Sequence, residues 1–284
     1  HGLVFRNVCG ERGAVDESVV LDWRSGLSVR LSTYEPCNIF NADETALFYK
    51  ALPDKTIAFK GDPCIDEKRS KERVTVLLAA NMTGTERLLR LIGKARKPKR
   101  FKNIKQLPVD YWFNGKAWMT AELFQAWLRQ LDRCFAAKAR KVLFVLDNCS
   151  AHTKVSGLEN IELLFLPQNT TDSLQPMDQG TIQFVKSRYR RQVLERILLC
   201  MESGKQYKVS VLSAIHMLTY MCNNTPPAVV ANCFRHSSFL HDAADPGVVV
   251  DEETGEEQDD CYVSTMPADV HFGYYLPMLP WPAQ

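Results

Sequence analysis

The amino-acid sequence predicts an α/β fold with one central sheet, and three observations predict it. Two continuous apolar runs, Val74-Thr75-Val76-Leu77-Leu78-Ala79-Ala80 and Val142-Leu143-Phe144-Val145-Leu146, have the pattern of strands covered on both faces. Two long segments, residues 118–136 and about 179–202, repeat apolar residues at helical spacing. The order along the chain is several strands, a helix, two strands and a helix, the signature of helices layered on a sheet.

The elements follow in order. Asp16 can cap a short helix to Leu31, in which Val19, Val20, Trp23 and Leu27 recur at helical spacing. Cys37-Asn38-Ile39-Phe40-Asn41-Ala42-Asp43 reads as a short strand ending on an acid. Further β-type segments are predicted at Ala46–Tyr49 and, across a Pro53-Asp54 turn, at Thr56–Phe59. After the Val74–Ala80 strand, Asn81-Met82-Thr83-Gly84 supplies a turn and Leu88–Ile92 returns antiparallel. Thr120 is the expected N-cap of a helix whose apolar face is Leu123, Phe124, Trp127, Leu128, Leu131 and Phe135. The Val142–Leu146 strand runs directly into Asp147-Asn148, and a second apolar strand, Ile161–Leu166, stops at Pro167. A helix from about Gln179 to Glu202 and another over about Val209–Cys222 complete the pattern, before Pro226-Pro227. Three regions are expected: a lead-in helix over 1–36, the α/β domain over 37–240, and an acidic linker with a Pro- and aromatic-rich tail over 241–284.

Bulk properties narrow the function classes. The 284 residues are 45% hydrophobic and 24% charged, with no apolar stretch long enough to span a bilayer as a helix. No membrane partner is expected. The nine cysteines are scattered without a Cys-x-x-Cys pair, so zinc-ribbon spacing is absent and reduced thiols are expected. The chain starts without Met or a secretory-type run and reads as part of something longer. The net charge of +2 conceals an asymmetry, because residues 251–260 hold seven acids and no base. The other 274 residues carry 35 basic groups against 26 acidic ones, a surplus that suits a polyanionic partner.

Asp43 and Asp147 each follow an apolar β-segment, where a rigid backbone presents a carboxylate to ligand. Carboxylate oxygens suit hard divalent cations, and two such cations clamp the attacking and leaving oxygens of a phosphoryl displacement. Capping of a turn by Asp43 and of a helix start by Asp147 is the competing reading of spacing alone.

The longer strings around these acids resemble the DDE-type endonuclease domain of pogo/Tigger transposases, a mariner-like group that includes the jerky and centromere protein B relatives. The matching strings are Asn41-Ala42-Asp43-Glu44-Thr45, Lys71-Glu72-Arg73-Val74-Thr75-Val76-Leu77, Leu107-Pro108-Val109-Asp110-Tyr111 and Lys116-Ala117-Trp118-Met119-Thr120. Leu146-Asp147-Asn148-Cys149-Ser150-Ala151-His152 carries the second acid and Leu174-Gln175-Pro176-Met177-Asp178-Gln179-Gly180 the third, with thirty residues between Asp147 and Asp178. The resemblance spans about residues 36–240. It implies a ribonuclease H-like fold with a mixed five-stranded sheet and flanking helices. It also implies metal-dependent phosphodiester hydrolysis and strand transfer on DNA, with Asp43, Asp147 and Asp178 as catalytic residues holding two Mg2+ or Mn2+ ions. Transposon ends and target DNA are the implied partners, a homodimer is the candidate assembly, and the nucleus is the expected location. One departure is an extra acid, Asp172, expected to be a loop residue. The family's helix-turn-helix region is not among these residues, so the segment alone is not expected to recognise transposon ends.

Supporting groups have two readings each. His152 either approaches the metals or orients its loop, and the second is favoured. Asn148 and Gln175 are accessory groups that position the aspartates or satisfy turns. Glu44 is expected on the opposite strand face from Asp43 and is not a ligand. The run Arg87–Lys105 has nine basic residues and no acid, and its Arg87, Arg90, Lys94, Arg96, Lys97, Lys99, Arg100, Lys102 and Lys105 are expected DNA-binding residues. Lys186, Arg188, Arg190 and Arg191 form a second such cluster, joined by Arg196, while Phe101 and Trp112 are candidate stacking groups or core. A nucleophilic role for Cys149 is rejected, since no base pairs with it. The alternative function is a host-adopted nucleic-acid-binding nuclear protein whose chemistry has lapsed; a small-molecule phosphohydrolase is a remoter third.

Overall fold

The computed structural model describes residues 17–51, 70, 72–205 and 207–239. The chain divides into two units, 1–241 and 242–284; the second lies outside the described residues, as does the expected strand Thr56–Phe59. Helix α1 (Glu17–Leu31) leads into β1 (Ile39–Leu47), β2 (Val74–Asn81), β3 (Arg87–Gly93) and the short β4 (Asp110–Phe113). Helix α2 (Ala121–Ala137) precedes β5 (Val142–Leu146) and β6 (Ile161–Phe165). Helices α3 (Thr171–Leu174), α4 (Thr181–Glu202), α5 (Val211–Asn223) and α6 (Pro227–His236) follow.

The strands form one six-stranded mixed sheet in the order β4-β3-β2-β1-β5-β6. β1, β2 and β3 pair antiparallel; β1, β5 and β6 pair parallel, as do β3 and β4. This is the ribonuclease H-like arrangement with one strand more than the five expected. The addition, β4, is only four residues long and its side chains are half-buried or exposed, so no apolar run announced it. It docks where Gly93 lets Tyr111 lie against the end of β3: any Cβ at that glycine would overlap the phenol. The Tyr111 hydroxyl donates to Ala95 O at 2.9 Å.

Each face of the sheet carries its own core. Alternate residues of β1 divide between them, as strand geometry requires. Phe40 and Ala42 face α2, where Phe124, Trp127, Leu128, Leu131 and Phe135 are buried at the expected helical spacing. Phe40 stacks on Phe144 at 5.1 Å and Trp127 meets the same ring edge-on at 5.7 Å. Ile39 and Leu47 face the other layer, with Tyr189 of α4, Ile215 of α5 and Phe234 of α6, and α1 adds Val20 and Leu27. Every residue of β2 and β5 is buried, which explains their unbroken apolar runs. Thr120 caps α2 as expected, its hydroxyl accepting from Leu123 N at 3.3 Å. No helix among the described residues is long and apolar enough to cross a membrane. The six described cysteines (Cys37, Cys134, Cys149, Cys200, Cys222 and Cys233) are free thiols.

Candidate active site

Asp43 is the fifth residue of nine in a continuous β1, not the end of a short strand, and Ala46–Leu47 belongs to the same strand. Pairing with β2 along all of Phe40–Leu47 carries the strand past the acid. Asp147, by contrast, leaves the end of β5 as expected. Asn41 pairs with Val145, so two residues further Asp43 and Asp147 lie level across the β1–β5 seam. Asp178 arrives from elsewhere. It sits in a one-turn 3-10 helix, Pro176–Gln179, and α4 begins only at Thr181, later than the expected Gln179.

Two buried amides bring Asp178 to Asp43. The Asn41 side chain, fully buried, donates to Val145 O at 2.9 Å and to Gln175 Oε1 at 3.0 Å, and accepts from Met177 N at 2.8 Å. Gln175, also fully buried, donates to Ala42 O at 3.1 Å. One neutral clamp thus ties the turn bearing Asp178 to β1 and to the end of β5. Asn41 escaped the sequence reading, although an amide two residues before Asp43 in an apolar strand shares its face.

The carboxylates feel one another. Burial holds the Asp43 carboxyl well above the usual range, and repulsion from Asp178 and Glu44, a hydrogen bond with Asp178, and Asp147 add to the rise. Lys186, half-buried on α4, feels this group. Burial and Arg190 hold its ammonium below its ordinary value while Asp178 and Asp43 pull it back. Ile182, Gln183, Lys186, Ser187 and Arg190 line an open groove with Asp178.

On the other side stands His152, 4% exposed and lying 4.4 Å from Phe124 of α2, ring to ring. Its Nδ1 forms an ion pair with Asp147 Oδ1 and its Nε2 lies 3.0 Å from Glu44 Oε2. The Asp147 oxygen has no aligned hydrogen bond, so the contact is electrostatic. Burial acting alone would lower the imidazole pKa, but Asp147, Cys149 and Glu44 push it up to about 12. His152 therefore orients Asp147, and Glu44, on the face opposite Asp43, is its second anchor. Asn148 is exposed on the turn after β5. Asp172 falls in α3 and not in a loop; its side chain lies outside those described.

The expected DNA-binding residues divide. Arg90 is a correction: it is 2% exposed, pairs with Asp110, donates to Gln130 Oε1 at 2.7 Å and stacks on Trp112 at 3.8 Å. A guanidinium spent on β4 and α2 is closed to a phosphate, and one face of the partly buried Trp112 is taken by Arg90. Phe101 packs edge-on against Tyr111 at 5.0 Å. Arg87 binds Asn223 O at 3.1 Å and the Gly84 carbonyl. Lys94, Arg96, Lys97, Lys99, Arg100, Lys102 and Lys105 are exposed on the loop after β3. Ile92 pairs with Thr75 and Ala46 with the same Thr75, so β3 ends beyond the level of Asp43, and the basic loop leaves from that end of the sheet. Arg188, Arg190 and Arg191 are exposed on α4 and Arg196 is half-buried.

The chain is similar in sequence to several known proteins. The chain is 39% identical over 242 residues to Tigger transposable element-derived protein 4 of Mus musculus, which covers 84% of this chain and 47% of that protein. It is 33% identical over 258 residues to CENP-B homolog protein 2 of Schizosaccharomyces pombe, covering 84% and 48%. Major centromere autoantigen B of Homo sapiens is 32% identical over 212 residues, covering 72% and 34%. The chain spans about half the length, or less, of these curated relatives. The crystal structure of the Mos1 strand transfer complex is similar with a TM-score of 0.48 and 17% identity, over 83% of this chain and 63% of that one. Residues 71–234 match the family model for the DDE superfamily endonuclease, and the chain belongs to that family.

Proposed function

We propose that this chain is the catalytic domain of a DNA transposase, in which Asp43, Asp147 and Asp178 hold divalent metal for phosphodiester hydrolysis and strand transfer. The observation that carries the reading is the meeting of Asp43 with Asp178, from positions far apart in the chain, beside Asp147. Evolution of a fold for stability alone has no use for a buried carboxyl raised by other carboxyls. An all-oxygen donor set is what magnesium or manganese takes, and a divalent cation relieves that repulsion. Bound there, the ions supply activation of the attacking oxygen and charge stabilisation at the phosphorus.

The chain's own residues supply the rest. Asn41 and Gln175 fix the approach of Asp178 to Asp43 without altering their charge. His152 and Glu44 fix Asp147. Lys186 places a cation in the groove beside Asp178, where a DNA phosphate would sit. The exposed lysines and arginines of residues 94–105 supply a second basic surface for the duplex. DNA is accordingly the proposed partner, with a homodimer as assembly and the nucleus as location.

The test is nicking of supercoiled DNA by the full chain with magnesium or manganese. Cleavage that depends on the metal and is lost in Asp147→Ala and Asp178→Ala supports the assignment. Binding of DNA without cleavage under all metal conditions, and no metal uptake by calorimetry, would overturn it in favour of an adopted DNA-binding protein.

A further inference from the structure

The loop after β5 gathers three donor types. One ligand atom each from Asp147, Cys149 and His152 lie within 4.8 Å of one another. Donors around a tetrahedral zinc, at 2.0–2.3 Å from it, stand about 3.3–3.8 Å apart, so small side-chain rotations close the set. His152 is already oriented for this. Its Nε2 faces Glu44 at 3.0 Å, which leaves Nδ1 directed at Asp147. A carboxylate behind an imidazole fixes the tautomer and raises the basicity of the metal-facing nitrogen. The His152 side chain is 1% exposed and packed on Phe124, so it stays in place. Asp147 Oδ1 is buried at the same point without an aligned hydrogen bond. Cys149 is half-exposed and provides the entrance.

We infer that Asp147, Cys149 and His152 form a site for one thiophilic divalent cation, zinc or cadmium, distinct from the all-oxygen arrangement at Asp43 and Asp178. Binding displaces the thiol proton of Cys149 and the proton between Nδ1 and Asp147, and both pass to solvent. The sulfur separates this site from a magnesium site, because soft thiolate selects zinc and cadmium over hard cations. Three protein ligands leave a fourth position to water. Occupancy also engages Asp147, and so withdraws it from the trio with Asp43 and Asp178. Zinc is thus an inhibitor of the domain; that consequence rests on the proposed function, whereas the site itself does not.

Two measurements on the metal-stripped full chain test the site without reference to activity. Cadmium chloride is titrated while the ultraviolet thiolate-to-cadmium charge-transfer band is read. One tight equivalent is expected in the parent and none in Cys149→Ser, whose fold is checked by circular dichroism. In parallel, stoichiometric zinc slows iodoacetamide alkylation of the Cys149 peptide by roughly tenfold or more, with the Cys37 and Cys134 peptides unaffected. Glu44→Ala weakens zinc in chelator competition by roughly 10–100-fold. A cadmium band of equal height in Cys149→Ser, or an alkylation rate at Cys149 indifferent to zinc, overturns the site. Zinc that protects Cys149 yet leaves magnesium-dependent nicking unchanged upholds the site and overturns only the inhibition.

Discussion

On the face of the sheet covered by α4, α5 and α6, Asp43 and Asp178 are set by the neutral amides of Asn41 and Gln175. Toward α2, Asp147 is set by the buried imidazole of His152, itself anchored on Glu44. Both devices place a carboxylate, and they differ in what they do to its charge. Amides saturate backbone groups and leave the two acids repelling each other, a poised state that a cation relieves. The imidazole neutralises its acid, so a cation must compete with a proton for Asp147. If the three aspartates hold metal as proposed, positioning by amides leaves the acids free to take it, whereas positioning by a titratable ring makes uptake responsive to the ring's own proton.

The comparison can be broken most directly at the acids themselves. Asp43→Ala and Asp147→Ala each remove metal-dependent nicking, whereas His152→Ala, acting through Asp147, lowers it by roughly 10–100-fold. Equal losses in single-turnover nicking would place His152 among the reacting groups and erase the distinction.

The amide side is next. Asn41→Leu strands Met177 N, Val145 O and the Gln175 amide in a dry interior, and urea denaturation should show a loss of about 3 kcal/mol. A loss below about 1 kcal/mol would mean that the clamp does not hold the turn.

Repulsion at Asp43 has a smaller signature of opposite sign. Its folded carboxyl binds its proton more tightly than the unfolded one, so the metal-free chain loses stability as pH rises above the ordinary Asp value of 3.8. Asp43→Asn escapes this loss. At neutral pH it raises the metal-free Tm by roughly 2–4 °C, the effect of about 1 kcal/mol in a domain of this size, and the gain disappears in acid. An unchanged Tm at neutral pH would show that the acids do not repel.

His152 gives the smallest effect and the sharpest contrast. Its folded pKa, pushed up from 6.5 to about 12, means that the ring's contribution to stability is complete below pH 6.5 and is lost as pH rises through about 12. Imidazole NMR of the metal-free chain should therefore show no His152 titration between about pH 5 and 9, unlike an ordinary histidine. Titration near neutrality would remove the ion pair from the account.

Much of this was legible in the residues. The unbroken apolar runs of β2 and β5 announce strands covered on both faces, and the spacing of Phe124, Trp127, Leu128 and Leu131 announces α2, because local side-chain periodicity maps directly onto burial. The strings around the three aspartates pointed to a common site. Asn41, Arg90 and the full extent of β1 were not legible. Each depends on a partner remote in sequence: Asn41 on Gln175 and Met177, Arg90 on Asp110 and Gln130, β1 on its complete pairing with β2.

The sequence by itself determined the strands covered on both faces, β2 and β5, and the amphipathic helix α2. Tertiary structure alone decided which atoms meet. It added β4 to the sheet edge, buried Arg90 of the basic run while leaving the lysines after it exposed, and gave His152 two carboxylates to bridge. The physical reason is range. Periodicity and capping act between residues a few positions apart, but register and the closure of buried polar networks are set by the sum of contacts across the whole sheet, which no local pattern contains.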